Sequence, residues 1–244
     1  MLRPITDDIW GFEKDIRLPG GMNLPSRATV VRQADGGVVV HSPLAFDDAT
    51  AKAIDDLGEV RAIVAPSCIH YLYVKAAMER WPKARVLGAP GLEKKVSGLS
   101  FDPLPASGTA DTLGEDLRIR RIEGVPYITE HVFLHRPSKT LVVSDLVFNV
   151  YETRGFSMTM FFWLVGAWRK TAQSRFWRFL TKDRPAAAQS VQDVLTWDFD
   201  RVVVAHGEVL EGDKDAPANE KLRAALWWIL QGSRPLLGTG TVVA

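Results

Sequence analysis

The chain has 244 residues, 46% hydrophobic and 24% charged, enough apolar material to build a sizeable core without covalent staples. Thirty basic residues against 29 acidic ones leave a formal net charge of +1, which excludes bulk electrostatic attraction to nucleic acid. The single cysteine, Cys68, excludes an intrachain disulfide, and with an N-terminus lacking a signal-type apolar run it points to a cytoplasmic protein.

The first elements in chain order read as strands. Residues 28–33 and 38–41 are β-branched runs flanking Ala34-Asp35-Gly36-Gly37, turn chemistry that predicts a hairpin, and residues 10–18 add a third strand. Asp47 and Asp48 open a helical stretch ending near Gly58, with acids at the positive helix end and glycine at the other. Strand, helix and strand follow at 60–65, 71–80 and 84–89, with a brief helix after Pro90. Residues 97–115, rich in Ser, Gly, Asp and Pro, read as loop.

The second half repeats the order. Residues 117–122 alternate with period two, and 131–135 and 140–145 flank the turn Arg136-Pro137-Ser138-Lys139. Helical patterns cover 157–181 and 185–196, residues 201–206 form a buried strand, and a helix covers 217–231. The tail 234–244 has no clear period. No linker separates the halves, so a single domain over 1–244 is expected, of class α/β. Two facing sheets with helices outside, a four-layer α/β/β/α sandwich, suit this order.

Two segments carry a family resemblance. VSDLVFN (143–149) is an apolar strand ending in an aspartate, and FDRVVVAHGEVL (199–210) is one ending in His-Gly. In order, spacing and context they resemble the second half of the metallo-β-lactamase-like superfamily, which places a metal-bridging aspartate and a metal-binding histidine there. The matching residues are Asp145 and His206. The superfamily's H-x-H-x-D-H signature is degraded. In AIVAPSCIHYLY (62–73), Pro66 and Cys68 fall at the first two histidines, His70 at the aspartate and Tyr71 at the last histidine. No histidine in EGVPYITEHVF (123–133) aligns with the remaining ligand, and Glu130 or His131 is the nearest substitute. With its RPS turn, SDLVFN strand and AHG segment, the chain is similar to a divergent bacterial branch of the superfamily, a domain of unknown function.

The resemblance implies that His70, Asp145 and His206 converge at one edge of the sandwich. Two imidazoles and a carboxylate suit Zn, Fe or Mn, and Pro66 offers no donor, so at most one divalent metal is expected. Two readings stand close together. One is a metallo-hydrolase-like enzyme with this degenerate mononuclear site. The other is a non-catalytic descendant, without metal, that binds a small-molecule ligand or a protein. Cys68, Tyr71, Glu130 and His131 are the candidate site neighbours. For Cys68 a buried structural thiol competes with a ligand role, and for Tyr71 packing does.

Residues 156–182 are aromatic and basic. The simplest reading is an amphipathic helix pair packed on the sandwich, with Trp163 and Trp168 buried either within the chain or against a second copy. A lid over the site, a homodimer surface and a membrane-surface helix are the other readings. Membrane contact is not expected, because the longest uncharged stretch, residues 155–168, is too short to span a bilayer.

Overall fold

The computed structural model describes residues 1–18, 21–96 and 98–232, so the tail 234–244 lies outside the described residues. The first half supplies β1 (Arg3–Pro4), β2 (Ile9–Arg17), β3 (Asn23–Arg32), β4 (Val38–His41), β5 (Val60–Ala65), β6 (Arg85–Gly88) and β7 (Asp102–Pro103). They form one sheet in sequence order, antiparallel from β1 to β4 and parallel from β4 to β7. Helices α1 (Asp48–Asp55) and α2 (Val74–Arg80) make the parallel crossovers. The Asp47 side chain caps α1 by accepting the Thr50 N–H, as the acidic pair predicts.

The second half supplies β8 (Ser107–Ala110), β9 (Gly114–Arg121), β10 (His131–His135), β11 (Thr140–Val142), β12 (Phe148–Val150), β13 (Lys170–Ala172), β14 (Arg201–Val203) and β15 (Leu210–Glu211). Six of these build the second sheet in the order β15-β14-β11-β10-β9-β8, while β12 and β13 pair separately. The helices here are α3 (Phe156–Leu164), α4 (Arg175–Leu180), α5 (Arg184–Leu195), α6 (Ala218–Ala225) and α7 (Trp227–Leu230).

Alternation along the strands sorts the core into layers. Val31, Val39, Ala62 and Val64 of the first sheet pack with Ile119, Phe133, Val142 and Val203 of the second, filling the space between the sheets. Their neighbours Val30, Val38, Val40 and Ile63 face outward onto Ala51, Ile54, Val74 and Ala77 of α1 and α2. On the other side Val132, Leu134, Leu141 and Val202 meet Val191 and Leu195 of α5 and Leu222 of α6. The result is the expected α/β/β/α order, because the central strands have period two and neither of their faces meets water.

Several boundaries depart from the sequence reading. Residues 97–115 are not all loop: β7, β8, a short 3₁₀ turn at Asp111–Leu113 and the start of β9 lie there. The segment 157–181 is not one helix but α3 and α4, separated by β13, and 217–231 divides into α6 and α7 at Leu226. Helix α2 begins at Val74, leaving His70 and Tyr71 in the turn before it. The strands meant to carry Asp145 and His206 stop at Val142 and Val203, so both residues sit in loops beyond strand ends.

Phe133, 2% exposed between the sheets, tests this layering. Truncation to Ala should cost about 3–5 kcal/mol of unfolding free energy in urea titrations. A cost below about 1 kcal/mol would mean that the two sheets are not closed on each other there.

Candidate metal centre

His70, Asp145 and His206 come together at one edge of the sandwich, with one ligand-type atom from each lying within 4.8 Å of the others. His70 Nε2 is 2.9 Å from Asp145 Oδ2, and His206 Nε2 is 3.3 Å from Asp145 Oδ1. The three side chains are 8%, 10% and 3% exposed, so they share a nearly dry pocket. Among the described residues this is the one such cluster of His, Cys, Asp and Glu.

Each arm of the cluster has a local cause. Asp145 leaves the β11 ladder because the N–H groups of Ser144, Asp145 and Leu146 all donate to Glu130 Oε1, at 2.8, 3.0 and 3.1 Å. Glu130 Oε2 accepts the Trp177 indole N–H at 3.3 Å. His70 follows a turn in which its N–H meets the Ser67 carbonyl and hydroxyl, and its Nδ1 lies 2.7 Å from Ser42 Oγ. Ser42 is buried at φ 52°, a strained conformation for a non-glycine residue that places its hydroxyl against the imidazole.

His206 ends the run after β14. Its Nδ1 lies 2.8 Å from the Pro25 carbonyl oxygen, and its ring stacks on Phe148 at 5.1 Å and 13°. Gly207 must be glycine, since at φ 104° a Cβ would run into the Asn149 carbonyl oxygen. The backbones of Asn149, His206 and Glu208 are hydrogen-bonded together there, pinning the His-Gly loop to β12.

The charges of the cluster are interdependent. Burial alone would raise Asp145, but the two imidazoles hold it well below the usual carboxylate range. Burial pulls His70 down, yet the adjacent Asp145 carboxylate outweighs that and raises it. Burial and the Asp145 charge push Glu130 up to about 7, against the stabilising Ser144 and Leu146 N–H groups.

These groups fit a cation. The Pro25 carbonyl can only accept, so the His206 proton belongs on Nδ1, and the Nε2 lone pair then faces a carboxylate 3.3 Å away. That arrangement needs a positive charge, either a second ring proton or a metal. Asp145 Oδ2 is sealed from solvent without an aligned donor, despite its nearness to His70. Donor atoms about 2.0–2.1 Å from a tetrahedral zinc lie roughly 3.3–3.4 Å apart; the His206–Asp145 spacing of 3.3 Å matches this, and the His70–Asp145 spacing of 2.9 Å is shorter.

The other sequence candidates lie elsewhere. Cys68 is buried in the outer layer with Sγ 3.5 Å from the Pro90 carbonyl oxygen, a packing role, and Tyr71 packs against that same layer. His131 turns Nδ1 to the Pro66 and Thr129 carbonyls, and burial lowers it to about 4. Glu130 is no substitute ligand; it supports the Asp145 loop from behind. His41 is buried and without a hydrogen-bond partner for either ring nitrogen, and burial lowers it to about 3. Sequence reasoning missed Ser42, the Pro25 carbonyl and Phe148, because a hydroxyl, a backbone oxygen and a stacked ring carry no motif.

Comparisons with known proteins bear on the fold. Residues 6–93 match the family described as Domain of unknown function (DUF4336). No curated protein matches the sequence. The structure resembles a metallo-β-lactamase from Pontibacter korlensis, with 17% identity, 95% of this chain and 99% of that one covered, and a TM-score of 0.62. It also resembles one from Hirschia baltica, with 12% identity, 94% and 97% covered, and a TM-score of 0.61. A third is the metallo-β-lactamase FIM-1 from Pseudomonas aeruginosa in its mono-zinc form, with 13% identity, 94% and 96% covered, and a TM-score of 0.60. The chain has the metallo-β-lactamase fold, in a divergent form.

The ionisations set a pH dependence in chelator-treated protein. The folded pKa of Glu130 lies above its reference value of 4.5, so its stabilising contribution is full below 4.5 and lost as pH rises through about 7. His70 is raised as well, so its contribution is full below 6.5 and is lost as pH rises through its folded value. Asp145, lowered, contributes stability that is full above its reference value of 3.8 and is lost as pH falls below that value toward its depressed range. Urea unfolding should therefore show stability declining from pH 4.5 through about 7, with Glu130→Gln flattening that slope. An unchanged slope in the variant would assign the pH dependence to other groups.

Proposed function

We propose that this chain is a metallo-hydrolase-like protein with a single divalent cation held by His70 Nε2, His206 Nε2 and the Asp145 carboxylate. The observation that carries the reading is the 2.8 Å contact of His206 Nδ1 with the Pro25 carbonyl oxygen, which assigns the ring proton to Nδ1. With Nδ1 committed there, Nε2 presents a lone pair to Asp145 in a pocket closed to water. Zn, Fe and Mn accept this donor set. Such a cation supplies Lewis acidity for hydrolysis of an ester, amide or phosphoester.

The protein's own part is positional. Ser42 and the Pro25 carbonyl fix the two imidazoles through the nitrogens turned away from the centre, and Glu130 fixes the loop that presents Asp145. Phe148 covers one face of His206 and keeps water off it. Pro66 has no side-chain donor for a second metal, and one protein of similar fold is described in a mono-zinc form.

A second reading, a binding module without chemistry, draws support from the closure of the site, since none of the three side chains is more than 10% exposed. Metal stoichiometry separates the two. Isothermal titration of chelator-treated protein with zinc should give one site per chain, and elemental analysis the same ratio after dialysis. Asp145→Ala combined with His206→Ala should abolish it. Ser42→Ala should keep the stoichiometry and weaken affinity about 10–100-fold. Unchanged metal content in the double variant would refute the ligand assignment, and no zinc uptake by the wild type would favour the binding module.

A further inference from the structure

We propose that the face formed by α3, α4 and the start of α7 docks on the surface of an anionic phospholipid membrane. Helix α3, FSMTMFFWL, has apolar residues around its whole circumference, yet only Met158 and Phe162 are buried. Phe156 and Trp163 are 78% and 61% exposed. Trp163 is thus not buried within the chain, and Trp168 is only partly covered. A surface helix ordinarily turns charged residues to water, so an outward face of Phe, Met, Trp and Leu marks a contact.

The two helices are bonded to each other. Arg175 donates to the Leu164 carbonyl and so joins α3 to α4. Helix α4 adds Phe176 and Phe179, 56% and 76% exposed, and Arg178 lies over the Trp227 ring, itself 54% exposed, at 5.2 Å. Lys182 lies over Phe179 at 5.8 Å. Exposed aromatics interleaved with cations are the composition of a helix that lies in a headgroup layer, rings in the acyl boundary and charges on the phosphates. No helix among the described residues is long and apolar enough to cross a membrane, which limits the contact to the surface.

Charge selects the occupant. Residues 155–182 contain five cations and no acid, in a chain whose net charge is only +1. A closed two-fold dimer through this face would set the same cations against one another. An anionic leaflet neutralises them instead, at about 1 kcal/mol for each Lys or Arg near the surface. The buried side of α3 reaches toward the candidate metal centre, since Phe162 packs on Phe148, which stacks on His206.

The test is flotation of the full chain with vesicles of equal parts phosphatidylcholine and phosphatidylglycerol, and with phosphatidylcholine alone, at low salt. The protein should float with the first and stay behind with the second. Lys170→Gln with Lys182→Gln, at exposed positions, should weaken binding on the order of 25-fold, about fivefold for each charge removed. Phe156→Ser with Trp163→Ser should abolish flotation with circular dichroism unchanged; if that variant misfolds, the lysine pair carries the test. Failure to float with anionic vesicles, equal flotation on both, or insensitivity to the lysine pair would overturn the proposal. A soluble dimer that the Phe156→Ser, Trp163→Ser variant dissociates would overturn it too, assigning the face to self-association. None of these readouts depends on metal, so they stand apart from the test of the proposed function.

Discussion

The Glu130 carboxylate is fully buried and takes three consecutive backbone N–H groups on one oxygen and an indole N–H on the other. A charge or acid buried in this way is costly unless its partners are complete, and four donors make them nearly so. The loop beyond β11 would otherwise carry orphaned amides into the interior, because the ladder to β14 ends at Val142–Val203. Glu130 replaces that ladder with a fixed turn, and the turn points Asp145 at both histidines. Through Trp177 the same carboxylate ties α4, and with it the aromatic-basic segment, to the floor of the site.

The two histidines come from opposite halves of the chain and are held by different means. His70 depends on a strained serine at the end of β4, His206 on a backbone carbonyl in β3. The edges of the two sheets are clamped beside His206, where Arg27 donates from its backbone to Ala205 and from its guanidinium to Val204. Rigid anchoring of this kind is what a weak ligand set needs. When an imidazole replaces a carboxylate, attraction for a dication falls, and less of the binding energy is left for ordering the ligands. The dry, charge-balanced pocket also keeps Asp145 ionised far below the usual carboxylate range.

Amphipathic patterning and spacing determined most of the fold from the sequence alone. The hairpin around Asp35-Gly36, the buried strand at Val60–Ala65, the turn at Arg136-Pro137-Ser138-Lys139 and helix α5 all stand where local rules put them, because turn chemistry and period-two runs act over a few residues. Asp145 and His206 stood out as polar residues closing apolar runs, but their place in a site, like that of His70, was legible only through the family resemblance.

Tertiary structure alone decided the rest. Strands β8 and β13 are short and polar, and they exist because a neighbouring strand offers them a ladder. The division of residues 156–182 into two helices follows from the pairing of Lys170–Ala172 with β12, which no periodicity in the segment announces. Glu130, Ser42 and the Pro25 carbonyl act on residues 15, 28 and 181 positions away in sequence, distances across which only the folded chain brings groups together. A helical pattern records which residues are apolar, but not which face the rest of the chain covers. The exposure of Phe156 and Trp163 was therefore settled by packing, with the buried side of α3 taken up by Phe148 and its neighbours and the outer side left to solvent.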